Sequence, residues 1–212
     1  MPANDPPVNA AAVLADLATR WRAAHTLEYR SHAVINHQGE LRAEIQTHAQ
    51  LQRPHFARLL FRGDRPETSR QRVSDGRWLF DRQTKSRRVD RVPFRGRLTV
   101  DIPHPLDEAT YSVEQFFART PFLPAGAKLS AEQITLTLGA KKHTAFRVVI
   151  ARGQEKDTLW LDRYTLAPLR LVRFGFHGSH YQELLVETFS ELRLGAALSP
   201  SLFRWTPEDE KR

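Results

Sequence analysis

Polar and apolar residues alternate strictly in LRAEIQTHAQLQ. Leu41, Ala43, Ile45, Thr47, Ala49 and Leu51 fall on one side, and Arg42, Glu44, Gln46, His48, Gln50 and Gln52 on the other. A period of two marks a strand with one buried and one wet face. The preceding TLEYRSHAVINH alternates as well, with Leu27, Tyr29, Ala33 and Ile35 together, and residues 37–40 between the two can turn. Pairing Ile35 with Leu41 sets His32 against Glu44 and Glu28 against His48, and with the histidines protonated these opposite charges favour that register. A slip of two residues is expected to lose both pairs.

Further short strands follow in HFARLLFRGD, RQRVSD, RWLFDR and KSRRVDRV, divided by Gly, Asp, Pro and Thr-Lys turn signals, of which Asp75-Gly76 is the clearest. QITLTLGA, TAFRVVIA, DTLWLDR, APLRLVRFGFHG and YQELLVETFSEL supply five more. The pattern predicts about ten or eleven antiparallel strands, over 26–92 and 129–192.

Two stretches change period. In residues 9–23, Ala10, Val13, Leu14, Leu17 and Trp21 recur at helical spacing behind Asn9, a natural N-cap. LDEATYSVEQFFART reads as a second helix within a helical segment 103–124, ended by Pro121 and Pro124. Strands are not interleaved with helices, so the class is α+β with an antiparallel sheet, not a parallel α/β fold. No repeat or linker divides the chain, and residues 1–212 are expected to form one domain. Residues 96–108 would join two halves of the sheet, and residues 200–207 form a C-terminal segment.

Charge is unevenly placed. The chain carries +8, and residues 53–97 hold 14 Lys and Arg against 5 Asp and Glu, so this segment alone carries +9. A basic face of Arg77, Arg82, Arg87, Arg88 and Arg91 is expected there, able to attract an anionic membrane surface or an acidic protein. Basic segments with exposed aromatics also bind single-stranded nucleic acid. However, Trp78 and Phe80 share a face of their strand and are expected to point inward, with Arg77, Leu79 and Asp81 outside, so no nucleic-acid partner is expected.

Candidate chemistry is sparse. There is no cysteine, no nucleophile elbow and no phosphate-cradling glycine loop. His177 and His180 stand three apart without an evident third ligand, so a polar turn is expected rather than a metal site. Glu183, Glu187 and Glu191 share one side of the last strand and are expected at a solvated rim. The chain is therefore expected to be neither an enzyme nor a holder of cofactor or metal. No run reaches the roughly 20 apolar residues of a spanning helix. The first residues lack the basic-then-apolar pattern of a signal peptide, as expected of either a cytosolic protein or a mature exported chain.

The inward aromatic and aliphatic residues are the most informative. Leu59, Phe61, Trp78, Phe80 and Trp160 on strands, with Phe116, Phe117 and Phe122 near the second helix, are expected to line a strongly curved sheet and the helix across its mouth. They either fill a core or enclose a pocket for an apolar ligand.

Several local motifs resemble the LolA/LolB-like superfamily of periplasmic lipoprotein carriers, particularly its uncharacterised members. They are DGRWLFDRQTKSRRVDRV, the hairpin LWLDRYTLAPLRL, and Phe203, Trp205 and Pro207 in an F-x-W-x-P ending. The resemblance implies an incomplete antiparallel barrel with a helical lid over a hydrophobic cavity. It implies a periplasmic or otherwise extracytoplasmic monomer binding lipid or lipoprotein acyl chains. The lid-locking arginine and membrane-acceptor loop of such carriers have no evident position in the sequence. The alternative is a regulatory protein-interaction module with a filled core and a basic docking face.

Overall fold

The computed structural model describes residues 7–37, 40–64, 69–85, 88–94, 111–118 and 121–206. Helix α1 (Ala10–Ala23) is followed by β1 (Thr26–His37), β2 (Glu40–Gln52), β3 (Phe56–Gly63), β4 (Arg70–Asp75), β5 (Trp78–Gln83) and β6 (Val89–Pro93). Helix α2 (Tyr111–Phe117) leads to β7 (Lys128–Leu138), β8 (Lys141–Arg152), β9 (Glu155–Asp162), β10 (Pro168–His177) and β11 (His180–Leu194), and a 3-10 turn (Pro200–Phe203) follows. All eleven strands form one sheet in the order β6-β5-β4-β3-β2-β1-β11-β10-β9-β8-β7. Each half is a run of hairpins, and the β1–β11 pairing joins them. Among the described residues, the edges β6 and β7 are not paired with each other, so the sheet is open and not a barrel. Of the expected second helix, Tyr111–Phe117 is helical, and residues 95–110 lie outside the described residues.

Local chemistry explains the boundaries. Asn9 Oδ1 accepts from the Ala12 N–H at 3.1 Å, capping α1, and Leu14, Leu17, Ala18 and Trp21 make its buried stripe. Asp75 accepts from the N–H groups of Arg77 (2.9 Å) and Trp78 (2.7 Å), while Gly76 takes φ +85°, closing the β4–β5 turn. Asp162 does the same in LWLDRYTLAP, accepting from the N–H groups of Tyr164 (3.1 Å) and Thr165 (2.9 Å) and from the Thr165 hydroxyl (2.9 Å). Burial pushes the Asp162 carboxyl up, but these donors and His143 nearby outweigh it and hold it below the usual range.

The first hairpin corrects its expected register. His32 stands opposite Gln46 and Arg30 opposite His48, a slip of two residues from the expected pairing. Both charge pairs nevertheless form, diagonally: His32 to Glu44 at 3.5 Å and His48 to Glu28 at 3.0 Å. Long side chains reach diagonal neighbours across a pleat, so the slip costs neither contact.

One face of the sheet is apolar and carries both helices. Its buried cluster runs from Leu79 on β5, through Leu59, Ala49, Ile45, Ala33, Leu185, Leu171 and Leu159, to Val148 and Ile150 on β8. Helix α1 is tied to both halves. Arg20 donates to the Thr165 carbonyl at 2.7 Å in the β9–β10 turn, and Arg53, after β2, donates to the Trp21 and Ala24 carbonyls.

Candidate functional site

The helices meet the sheet through a cluster of rings. Trp21 of α1 packs edge-on against Phe116 (centroids 6.1 Å apart) and Phe122 (5.1 Å), and Phe116 against Phe117 (5.3 Å). Phe116 and Phe122 are buried, Phe117 is partly buried against the same cluster, and Leu59 and Phe61 present their side chains from β3. Phe122 holds its backbone at φ +58°, a region rarely used by residues with a side chain, and its N–H donates to Gln115 Oε1 at 2.8 Å.

Arg53 pins this cluster. Its guanidinium donates to Ala24 O (3.1 Å), Trp21 O (3.0 Å) and Phe116 O (2.6 Å), and lies 4.5 Å over the Phe116 ring. One side chain thus satisfies carbonyls at the C-terminal ends of both helices, where the helix dipoles favour a cation. Burial lowers its pKa from the ordinary arginine value. No sequence pattern singled out Arg53. Its one signal is an arginine between a strand end and a proline, which is too common to be diagnostic.

Three of the expected lining residues sit elsewhere. Register places Leu59 beside Arg72 and Arg72 beside Asp81, and Ala57 beside Ser74 and Ser74 beside Leu79, so Leu79 and Asp81 share the helix face. Trp78 and Phe80 therefore point to the outer face. Phe80 stacks on Trp205 (5.4 Å, 9° between planes), and Phe203 packs on Phe56 at 5.8 Å, so the C-terminal segment covers part of this aromatic strip. Trp160 stands on the outer face too, opposite Arg147 and Arg170. For Trp160 the flanking Leu159 and Leu161 take the helix face, and for Trp78 and Phe80 the cause is a buried ion cluster that an inside-apolar rule cannot foresee. Asp81, 4% exposed, accepts from the fully buried Arg72 at 3.3 Å and lies 3.5 Å from Arg70.

The expected basic face is also revised. Arg77 and Arg91 are exposed, but both lie over the Trp78 ring, at 5.8 and 3.9 Å. Arg88 pairs with Asp90 at 2.8 Å, and Arg82 is buried rather than presented. Arg87 lies outside the described residues. Much of the local charge excess is therefore engaged in internal contacts. Glu187 corrects the expected solvated rim as well: β11 is central, and Glu187 is buried on the helix face, accepting from the Ser31 hydroxyl at 2.6 Å. Burial, and then the Glu187 charge, push the Tyr29 hydroxyl pKa well up, so Tyr29 is a neutral phenol.

No protein-family profile matches the chain, and no curated protein matches it. Solved structures do. An uncharacterised conserved protein from Thermus thermophilus superimposes with a TM-score of 0.57 at 12% identity, covering 94% of this chain and 96% of that one. LprF from Mycobacterium bovis superimposes with a TM-score of 0.51 at 12% identity, covering 91% and 96%. A putative outer membrane lipoprotein-sorting protein domain from Vibrio parahaemolyticus aligns over 96% of this chain and 100% of its own length, with a TM-score of only 0.39 at 13% identity. Identities this low speak to the fold alone. The likeness to the first two is therefore one of fold alone.

Proposed function

We propose that the protein is a non-catalytic, extracytoplasmic carrier or sensor that takes an apolar ligand, an acyl chain of a lipid or lipoprotein, on the helix face beneath α1 and α2. The observation that carries this reading is the clasp. Both helices rest on the sheet through rings and aliphatic groups, while polar attachment at their shared end is concentrated in Arg53. Apolar contacts have no directional demand, so an acyl chain can replace a displaced helix face, recovering about 25 cal/mol per Å² of apolar surface buried. Arg53 then plays the part of the lid-locking arginine, and Leu59, Phe61, Phe116, Phe117 and Phe122 are the contact residues. Residues 1–212 act as one domain, without cofactor.

A second reading, a protein-interaction module, is favoured by one observation: the helix face is closed and packed. Native mass spectrometry with lipid extraction, on protein purified without detergent, separates the two when followed by displacement of a fluorescent fatty acid. The carrier reading expects a co-purified lipid or saturable probe binding, with faster probe release from Arg53→Ala. An empty protein that ignores the probe, yet retains a partner in pull-down, supports the module instead.

A further inference from the structure

On the outer face, away from the helices, the sheet holds a cleft of about 600 Å³. Two adjacent cross-strand rows build it. Thr188, His32, Gln46 and Arg62 stand in register across β11, β1, β2 and β3. Arg30, His48 and Leu60 form the next row, beside a bulge at Arg30/Ser31 that leaves Ser190 unpaired. Neighbouring strands lie about 4.8 Å apart and successive rows about 7 Å, so these side chains converge on a space of small-molecule size.

The formal charge on its walls has one sign. Arg30 and Arg62 line the cleft together with the imidazoles of His32 and His48, and no carboxylate does. The acids stand beyond it, each beside one base: Glu191 lies 3.6 Å from Arg30, Glu44 3.5 Å from His32, and Glu28 3.0 Å from His48. Glu28 is drawn aside by Arg193 (2.6 Å) and by the Gln50 amide (3.1 Å). Arg62 has no ion pair among the described residues. Of the remaining polar lining, Ser31 donates to Glu187 at 2.6 Å and Ser190 to the Arg30 carbonyl at 3.3 Å, while Gln46, Thr47 and Thr188 can donate hydrogen bonds.

We propose that this cleft binds an oxyanion, a phosphoryl group carried by a small polar molecule or by a lipid headgroup. Arg30 and Arg62 approach from β1 and β3 with planar forks suited to paired phosphoryl oxygens, and the hydroxyls and imidazoles complete the donor set. The volume lies within the range of small-molecule sites and leaves room for more than a bare phosphate. The site is on the opposite face from the acyl-chain site proposed above and does not depend on it.

Calorimetric titration of the full chain with inorganic phosphate and with glycerol 3-phosphate is the test. Saturable binding is expected, weakened about tenfold in Arg62→Ala, the loss of one charge-assisted contact. Glu191→Gln, which releases Arg30 from its neighbour, should tighten binding. Sedimentation with phosphatidylglycerol vesicles but not phosphatidylcholine vesicles, lost in Arg62→Ala, assigns the group to a lipid headgroup. Binding of the soluble compounds without sedimentation assigns it to a free molecule. No heat with either compound at about 10 mM, where even a millimolar site is mostly filled, overturns the proposal. So does unchanged affinity in an Arg62→Ala protein whose circular dichroism shows it folded.

Discussion

The two faces of this sheet are made by the same strands yet held in different ways. The helix face is mainly apolar and is covered by a 14-residue and a 7-residue helix that Arg53 ties together at their shared end. Its buried acids, Asp81 beside Arg70 and Arg72, and Glu187 beside Ser31, are partnered within the sheet. The outer face is polar, crossed by diagonal His–Glu pairs and by Arg–Glu pairs in direct register, and its aromatic strip is covered in part by a short C-terminal turn. A cover attached through few directional bonds can be exchanged for a ligand. A face laced with local ion pairs cannot take an acyl chain without leaving charges unpaired. On that difference rest the two proposals, an apolar ligand for the helix face and an oxyanion for the outer one.

Breaking the buried ion cluster should have the largest effect on stability. Asp81→Ala leaves Arg72 and Arg70 without their shared acid, and a loss of about 3–5 kcal/mol is expected in urea unfolding. Arg53→Ala comes next. It strips three carbonyls of a cationic donor, at about 2–3 kcal/mol, and should raise hydrogen exchange in α2 and the end of α1 while leaving the outer rows protected. If exchange rose equally on both faces, the contrast between them would fail. Asp162→Ala removes the three bonds that close the β9–β10 turn and should cost about 1–2 kcal/mol, with no effect on apolar-probe affinity.

The smallest effect concerns acid. Burial pushes the Glu28 carboxyl up, but hydrogen bonds from His48 and Gln50, with the charges of Arg193 and His48, outweigh it, and its pKa lies below the ordinary glutamate value. The stability it contributes is therefore present above the unfolded-state pKa and is lost as pH falls through the lower folded value. Glu28→Gln should flatten the acid limb of the stability profile below the ordinary glutamate range. An unchanged acid limb would show that the outer ion pairs do not act on stability.

Much of this fold was legible in the sequence. Period-two alternation located the strands, Asn9 and the Asp75-Gly76 turn marked boundaries, and the run of strands without interleaved helices pointed to one antiparallel sheet. Facing was harder. In RWLFDR, Trp78 and Phe80 look more apolar than Leu79 and Asp81, and only the partners on β4 decide the matter, because Arg72 and Arg70 make burial of Asp81 possible. Pairing across β1 and β2 shows the same limit: the charge pairs were foreseen but not their diagonal geometry. Arg53 and the outer cleft escaped for a related reason. Each depends on side chains brought together from separate elements, by turns in the first case and by twist and a bulge in the second.

The most direct test compares Trp21 with Trp78. The chain has four tryptophans, so variants keeping only Trp21 or only Trp78, with the others changed to Phe, report each face separately. Titrated with a brominated fatty acid, the Trp21 protein should show saturable quenching and the Trp78 protein only weak, non-saturating collisional loss. Saturable quenching of Trp78 with none at Trp21 would place the apolar ligand on the outer face and contradict the account.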